Sequence, residues 1–356
     1  MKNTASNKPA RDFRIDLLRV LACYLVIQQH ASEFFYIGPQ NSVVTGDNTS
    51  RIGIITSIAR ISVPLFVMIS GYLLLPMRTG ISGFFKKRFS RILIPFIVWC
   101  ILYALYFMVT RGDSWGQAFT NILHIPVNFG VEVGHLWYVY MLVGLYLLIP
   151  VLSPWVADCS RRVMQGYLLL WGLTTLLPYI HLVFPQVWGE CFWNPTPAFY
   201  YFSGFAGYLI LGCYIRKFGA LSIPQAAAMT LVGYALTAGI FILRIGTSET
   251  IPQLELSWGF ATANIAMMSY GIFSLFMHLH ADGQSRIGRR IRDISVRSYG
   301  MYLAHIMVLN LFYQLLNPLF DNTLIAVPLI AVCSFLTVYA AVRLLSLLPK
   351  SKYWLG

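Results

Sequence analysis

Asp16, Arg19, His30 and Glu33 stand inside one apolar stretch near the N-terminus, FRIDLLRVLACYLVIQQHASEFF. Ionisable side chains are disfavoured within a membrane-spanning segment, so they mark functional sites by default. On a helix Asp16 and Arg19, three apart, can pair on one face, and His30 and Glu33 repeat that spacing near the other end. Arg19 and His30 are separated by close to three full turns, so both project from the same face about 16 Å apart along the axis. A neutral imidazole beside a carboxylate has the makings of a general base. An arginine on the same stripe offers fixed positive charge to a phosphate, a carbonyl or a developing oxyanion. A plainer alternative stands beside each reading: Asp16 and Arg19 snorkel at the cytoplasmic interface, and His30 is a buried, hydrogen-bonded histidine.

Other candidates are fewer. Arg60 and His305 also fall deep within apolar runs, and either serves equally well as a structural hydrogen-bonder. His135 opens a later run at the outer boundary, where an interfacial histidine needs no special role. In FFKKRFSRILIP, Arg88 and Arg91 are three apart and offer forked, charge-assisted contacts to phosphate. Ordinary cytoplasmic positive charge explains the sign of this cluster but not its spacing. The small pair Ser70-Gly71 in RISVPLFVMISGYLLL permits close approach of another helix.

The elements that hold these residues are transmembrane helices. The chain has 356 residues, 57% hydrophobic and only 11% charged, with 15% aromatic residues and a mean hydropathy of +0.65. A soluble domain carries about 25% charged residues, so this composition describes an integral membrane protein. Runs of roughly 20 apolar residues number ten, at about 13–36, 52–76, 89–109, 135–157, 163–184, 199–215, 223–243, 255–279, 296–316 and 323–347. Lys2, Lys8, Arg11 and Arg14 before the first run resemble a signal peptide. That run, however, is long, contains Arg19 and His30 and lacks a small-residue cleavage site, so it reads as a retained helix. The six cysteines include no CxxC pair, which indicates neither a disulfide framework nor a zinc site.

The net charge of +13 would suggest nucleic acid in a soluble protein; here it is a topology signal. With the N-terminus in the cytoplasm, only Arg51, Arg111 and Arg244 fall in outer segments, Arg19 and Arg60 lie within spans, and every other Lys and Arg is on the inner side. The expected fold is therefore all-α and polytopic, with about ten transmembrane helices and both termini cytoplasmic. Residues 1–356 read as a single membrane domain, with tails at 1–12 and 348–356 around a bundle at 13–347. The stretch 110–134, with Trp115, Phe119, Ile122, Leu123 and Phe129, is apolar enough to lie in the outer interface.

Taken together, these motifs resemble the acyltransferase-3 family of bacterial integral membrane acyltransferases. IDLLRVLACYLVIQQH matches that family's R-x10-H signature at Arg19 and His30, preceded by its Asp at Asp16. RISVPLFVMISGYLL resembles its second-helix block, KRFSRILIP its RxxR block at Arg88 and Arg91, and GHLWYVYMLVGLYLLIP its middle block. SYGMYLAHIMVL resembles its late Ser-x-Gly-x-Tyr-x-x-His block at Ser298, Gly300, Tyr302 and His305. The resemblance covers essentially the whole chain and is strongest to short, stand-alone members that O-acetylate surface polysaccharide. The extracytoplasmic hydrolase-like domain of some longer members is not expected.

The resemblance implies transfer of an acyl group, usually acetyl from cytoplasmic acetyl-CoA, to a hydroxyl of a surface or lipid-linked carbohydrate. It places the protein in the bacterial cytoplasmic (inner) membrane, with acyl-CoA, the saccharide acceptor and membrane lipids as partners, and with neither a metal nor nucleic acid. His30 is then the expected general base, Glu33 orients its imidazole, and Arg19 holds the donor's arm or offsets oxyanion charge. Arg88, Arg91, Asp16, Ser70, Tyr302 and His305 form the expected donor-binding set. Direct attack by the acceptor is the simplest course, since no activated Cys or Ser nucleophile stands out. Trp137, Trp188, Trp193, Tyr200 and Tyr201 are candidates to stack on sugar faces. The alternative class is a secondary transporter of a small polar or anionic solute, for which buried charges and ten helices are equally expected, though no internal repeat is visible.

Overall fold

The computed structural model describes residues 11–127, 134–187, 189–191, 194–197, 199–200, 202–280 and 282–356. Lys2, Lys8, Phe129, Trp188, Trp193 and Tyr201 lie outside the described residues. In chain order the helices are α1 (Phe13–Tyr36), α2 (Asp47–Ser57), α3 (Ser62–Leu74), α4 (Ile81–Thr110), α5 (Trp115–His124), α6 (Trp137–Asp158), α7 (Arg161–Thr174) and α8 (Leu177–Val183). They continue with α9 (Phe205–Phe218), α10 (Ile223–Arg244), α11 (Ala263–Met277), α12 (Arg286–Leu316) and α13 (Thr323–Leu345). Two short strands, β1 (Gly189–Cys191) and β2 (Asn194–Pro197), pair antiparallel between α8 and α9.

Among the described residues, eight helical segments are long and apolar enough to cross a membrane. They are Asp47–Leu74, Ile81–Thr110, Gly134–Asp158, Arg161–Val183, Ile223–Arg244, Ile251–Met277, Arg286–Leu319 and Thr323–Leu345. The chain is thus an all-α, multi-pass membrane protein. Two of the ten expected crossings fall outside this group for separate reasons. α1 is 24 residues long but carries Arg14, Asp16, Arg19 and Glu33, and α9 has only 14 residues.

Helix limits depart from the hydropathy runs where polar caps extend a helix beyond the bilayer. α4 begins eight residues before the run at 89–109, and its 30 residues extend about 45 Å, more than a hydrocarbon core of about 30 Å requires. Lys86, Lys87, Arg88 and Arg91 therefore sit on helical turns at its cytoplasmic end. α12 likewise starts ten residues before the run at 296–316, because Ser285 caps it by accepting from the Gly288 N–H at 3.0 Å. Asp12 caps α1 in the same way, accepting from the Arg14 N–H at 3.0 Å. Burial works against ionisation of Asp12, but the Arg14 guanidinium beside it holds the carboxyl below its ordinary range.

The second expected helix is interrupted. A 3-10 turn at Ile58–Ile61 separates α2 from α3. Pro64 explains it, because proline has no N–H to donate to the carbonyl four residues back, that of Arg60, and its ring crowds that carbonyl. The break lies where a charged side chain has to be aimed.

α1 is central and packs against α3, α12 and α13. α3 and α9 meet at two glycines. A Cβ on Gly71 would lie 1.8 Å from the Leu209 carbonyl oxygen, and one on Gly212 2.0 Å from that of Met68, so backbone touches backbone as small residues allow. α5 presents Trp115, Phe119 and Leu123 to the outside on one face, the pattern of an interfacial helix. The last residues, expected as a tail, fold back: Leu355 is buried, and the Trp99 indole N–H donates to the Trp354 carbonyl at 2.8 Å.

Candidate active site

A cavity of about 300 Å³ lies between α1, α3, α4, α6 and α12. Its cytoplasmic end is lined by Arg19, Arg88, Arg91 and Ser295. Its middle carries hydroxyls from Ser70, Tyr138, Tyr146, Ser298 and Tyr302. The other end is formed by Gln29, His30, Ser62, His135, Trp137 and Phe260. Helical periodicity assembles these walls. Arg19, Val26 and His30 recur at steps of seven and four on α1, while Ser295, Ser298 and Tyr302 recur at steps of three and four on α12.

At the far end His30 Nδ1 lies 2.9 Å from Glu33 Oε2. A carboxylate accepts only, so Nδ1 carries the hydrogen and Nε2 keeps its lone pair. Two further imidazoles surround this ring. His305 lies 5.3 Å from His30 between ring centres, His135 lies 6.3 Å from His30, and His135 and His305 are 5.0 Å apart. His305 is fully buried and bonds through Nδ1 to the Tyr302 carbonyl at 2.5 Å. It packs beside His30 and is not among the residues that line the cavity. Tyr302 does line the cavity, and its hydroxyl donates to the His135 carbonyl at 2.5 Å. The Nε2 atoms of His135 and His305 are buried with no protein hydrogen-bond partner.

His135 is the residue that sequence reasoning passed over. It is only 9% exposed and faces both other histidines, because the Tyr302 hydroxyl fastens its backbone to α12. The one available signal was its place in GHLWYVY, just ahead of a helix.

The cytoplasmic end differs from expectation in one respect. Asp16 takes its main hydrogen bonds from Arg11, at 2.7 and 2.5 Å, and a third from Ser295 Oγ at 2.7 Å. Arg19 approaches the same carboxylate only at 4.0 Å and donates to Ser295 Oγ at 3.3 Å. Asp16 is therefore not on the cavity wall; it lies behind Ser295, which is. Ser70 lines the wall while donating back to the Phe66 carbonyl at 3.0 Å. Arg88 is half-buried over the Phe84 ring at 5.9 Å, whereas Arg91 is exposed. Because α1 is one unbroken helix from Phe13 to Tyr36, Arg19 stays about 16 Å from His30. Arg19 lines the same cavity as Arg88 and Arg91 of α4.

Among the described residues no group of His, Cys, Asp and Glu has the arrangement of a metal site. Trp137 stands on the cavity wall, stacked on Phe260 at 5.7 Å. Tyr200 is exposed.

The family model for an acyltransferase domain, Acyl_transf_3, matches residues 12–343. The chain is 26% identical over 359 residues to the succinoglycan biosynthesis protein ExoH of Rhizobium meliloti (strain 1021), covering 94% of this chain and 89% of that protein. No solved structure gives a significant match.

Proposed function

The chain belongs to the acyltransferase-3 family, and on that premise we propose that it moves an acetyl group from cytoplasmic acetyl-CoA to a carbohydrate hydroxyl. Acyl transfer by a membrane enzyme follows from the family; the donor, the acceptor and the residue roles are our reading. The observation that carries it is one cavity with guanidinium groups at its cytoplasmic end and the His30–Glu33 pair at the other. Arg88, Arg91 and Arg19 suit the anionic phosphates of a coenzyme A thioester. The hydroxyls of Ser70, Ser298 and Tyr302 suit its neutral amide arm, which brings the thioester towards His30.

There the acceptor oxygen attacks the thioester carbonyl while His30 Nε2 takes the hydroxyl proton. Glu33 keeps Nδ1–H oriented and balances the imidazolium that forms. Collapse of the tetrahedral intermediate breaks the C–S bond. The imidazolium then returns the proton to the sulfur, leaving an ester and free coenzyme A. Similarity to a protein of succinoglycan biosynthesis supports a carbohydrate acceptor. A small neutral acyl group fits best, because Gln29, Ser62, Trp137 and Phe260 around His30 bring no cation to meet a second carboxylate. We place the whole chain, as a single unit, in the bacterial cytoplasmic membrane with both termini inside.

The test uses purified protein in nanodiscs with labelled acetyl-CoA and candidate saccharides, reading ester formation and coenzyme A release. His30→Ala is expected to abolish transfer. Arg19→Ala is expected to raise the KM for acetyl-CoA. Near-normal turnover in His30→Ala, with the protein folded, overturns the assignment.

A further inference from the structure

Ser295 lines the cytoplasmic end of the cavity, yet it has no part in the reaction above. It stands on α12 just ahead of the apolar run, in the stretch of helix that the Ser285 cap extends towards the cytoplasm. It is 1% exposed and faces α1, against which α12 packs. Its hydroxyl is used in both directions, donating to Asp16 Oδ1 at 2.7 Å and accepting from Arg19 Nη1 at 3.3 Å. Arg11 holds both oxygens of the same carboxylate, at 2.7 and 2.5 Å. The four side chains thus form one connected row, Arg11, Asp16, Ser295 and Arg19, in which Ser295 comes from a second helix.

An Asp and an Arg three residues apart on a helix ordinarily pair directly. Had Arg19 done so, its guanidinium would be committed to a buried carboxylate in forked geometry. Instead its nearest approach to Asp16 is 4.0 Å, outside hydrogen-bond range. Two features keep them apart: Arg11 meets the charge of Asp16, and the Ser295 oxygen occupies the gap. Among the described residues Arg19 donates no hydrogen bond except the one to Ser295. A guanidinium has five N–H donors, so the others stay free on the wall that Arg19 shares with Arg88 and Arg91.

We infer that Ser295 is a positioning residue of the donor site, a hydroxyl spacer that holds the Arg19 guanidinium off Asp16 and leaves it available to the donor's phosphates. This inference rests on the reading of the donor as a coenzyme A thioester. Without the hydroxyl, Arg19 closes the gap and pairs with Asp16, and the donor loses one of its cations. Neutralising Asp16 as well removes the carboxylate onto which Arg19 would collapse, so the second substitution repairs the first. A merely structural serine predicts the reverse, because two substitutions in one buried cluster then add their losses.

The experiment measures the Kd of coenzyme A by titration calorimetry on the full-length protein in nanodiscs, with the KM for acetyl-CoA beside it. Ser295→Ala is expected to weaken binding by about 3- to 10-fold, with KM rising by more than kcat falls. The double variant Ser295→Ala with Asp16→Asn is expected to recover most of that loss. Unchanged affinity in Ser295→Ala, or a double variant that binds more weakly than Ser295→Ala, overturns the inference. Should the double variant fail to fold, Ser295→Thr decides, since it keeps the hydroxyl: affinity no better than that of Ser295→Ala overturns the inference. Arg19→Gln that binds coenzyme A as the parent does overturns the donor role of Arg19 instead, so the two failures are distinct.

Discussion

Replacing Glu33 by Gln keeps size and shape while removing one charge 2.9 Å from His30 Nδ1. With charge centres about 4 Å apart, a carboxylate and an imidazolium attract by roughly 4 kcal/mol at an effective dielectric of 20. The Glu33 side chain is 33% exposed, so solvent screening reduces this to about 2 kcal/mol. That attraction exists only when His30 holds the acceptor's proton, so its loss appears in kcat. At about 1.4 kcal/mol per decade it amounts to roughly 30-fold. The substitution also lets an amide NH2 face Nδ1, which favours the tautomer with the proton on Nε2 and adds to the loss. The KM for acetyl-CoA is expected to stay unchanged, because Arg19 is about 16 Å away along α1 and Arg88 and Arg91 line the cavity from α4. Glu33→Asp, which keeps the charge on a shorter arm, is expected to retain more activity than Glu33→Gln. Initial rates of thiol release at saturating acceptor measure all three proteins. A Glu33→Gln kcat within threefold of the parent, in folded protein, refutes the pairing as a catalytic device.

Two further outcomes follow from the opposite end of the cavity and from the helix contacts. Replacing both Arg88 and Arg91 by Gln is expected to raise the KM for acetyl-CoA more than tenfold, while turnover of acetyl-pantetheine, which lacks the nucleotide, changes little; equal losses with both donors would separate these arginines from phosphate binding. Gly212→Val puts a side chain where a Cβ already meets the Met68 carbonyl oxygen at 2.0 Å. Separating α3 from α9 is expected to destabilise the fold by about 1–3 kcal/mol, read as a lower midpoint of thermal inactivation in nanodiscs.

What could be read from the sequence was whatever a single helix or the membrane imposes. Arg19 and His30 share a face because eleven residues are close to three turns, and no partner is needed to know it. The sidedness of Lys and Arg gave topology, and Ser70-Gly71 announced a close helix contact whose other half, Gly212, lay too far along the chain to be paired with it. Tertiary choices were hidden. Asp16 has Arg19 one turn away, yet it bonds Arg11, because Ser295 arrives from α12 and occupies the space between them. His135 looked interfacial because nothing near it in sequence shows that the Tyr302 hydroxyl will fasten it beside His305. Arg60 was partly legible: Pro64, four residues on, is the local signal for a break that turns it towards Glu255. The early starts of α4 and α12 were missed because a hydropathy window registers only the part of a helix that lies in lipid.

The two ends of the cavity argue about what crosses the membrane. A secondary carrier moves a whole solute and opens its site to either side in turn, commonly through repeats that make the two halves equivalent. Here the ends are chemically unlike. Guanidinium groups at the cytoplasmic end favour an anion that stays there, and the strongest charge near the outer end, Arg60, is already bound by Glu255 and Tyr36. A thioester donor anchored by its phosphates therefore has no matching site to move into. In the proposed reaction only the acyl group at its tip reaches His30 and leaves on the acceptor. An asymmetric cavity of this kind suits transfer of a group across the bilayer while the molecule that brought it remains on the side from which it came.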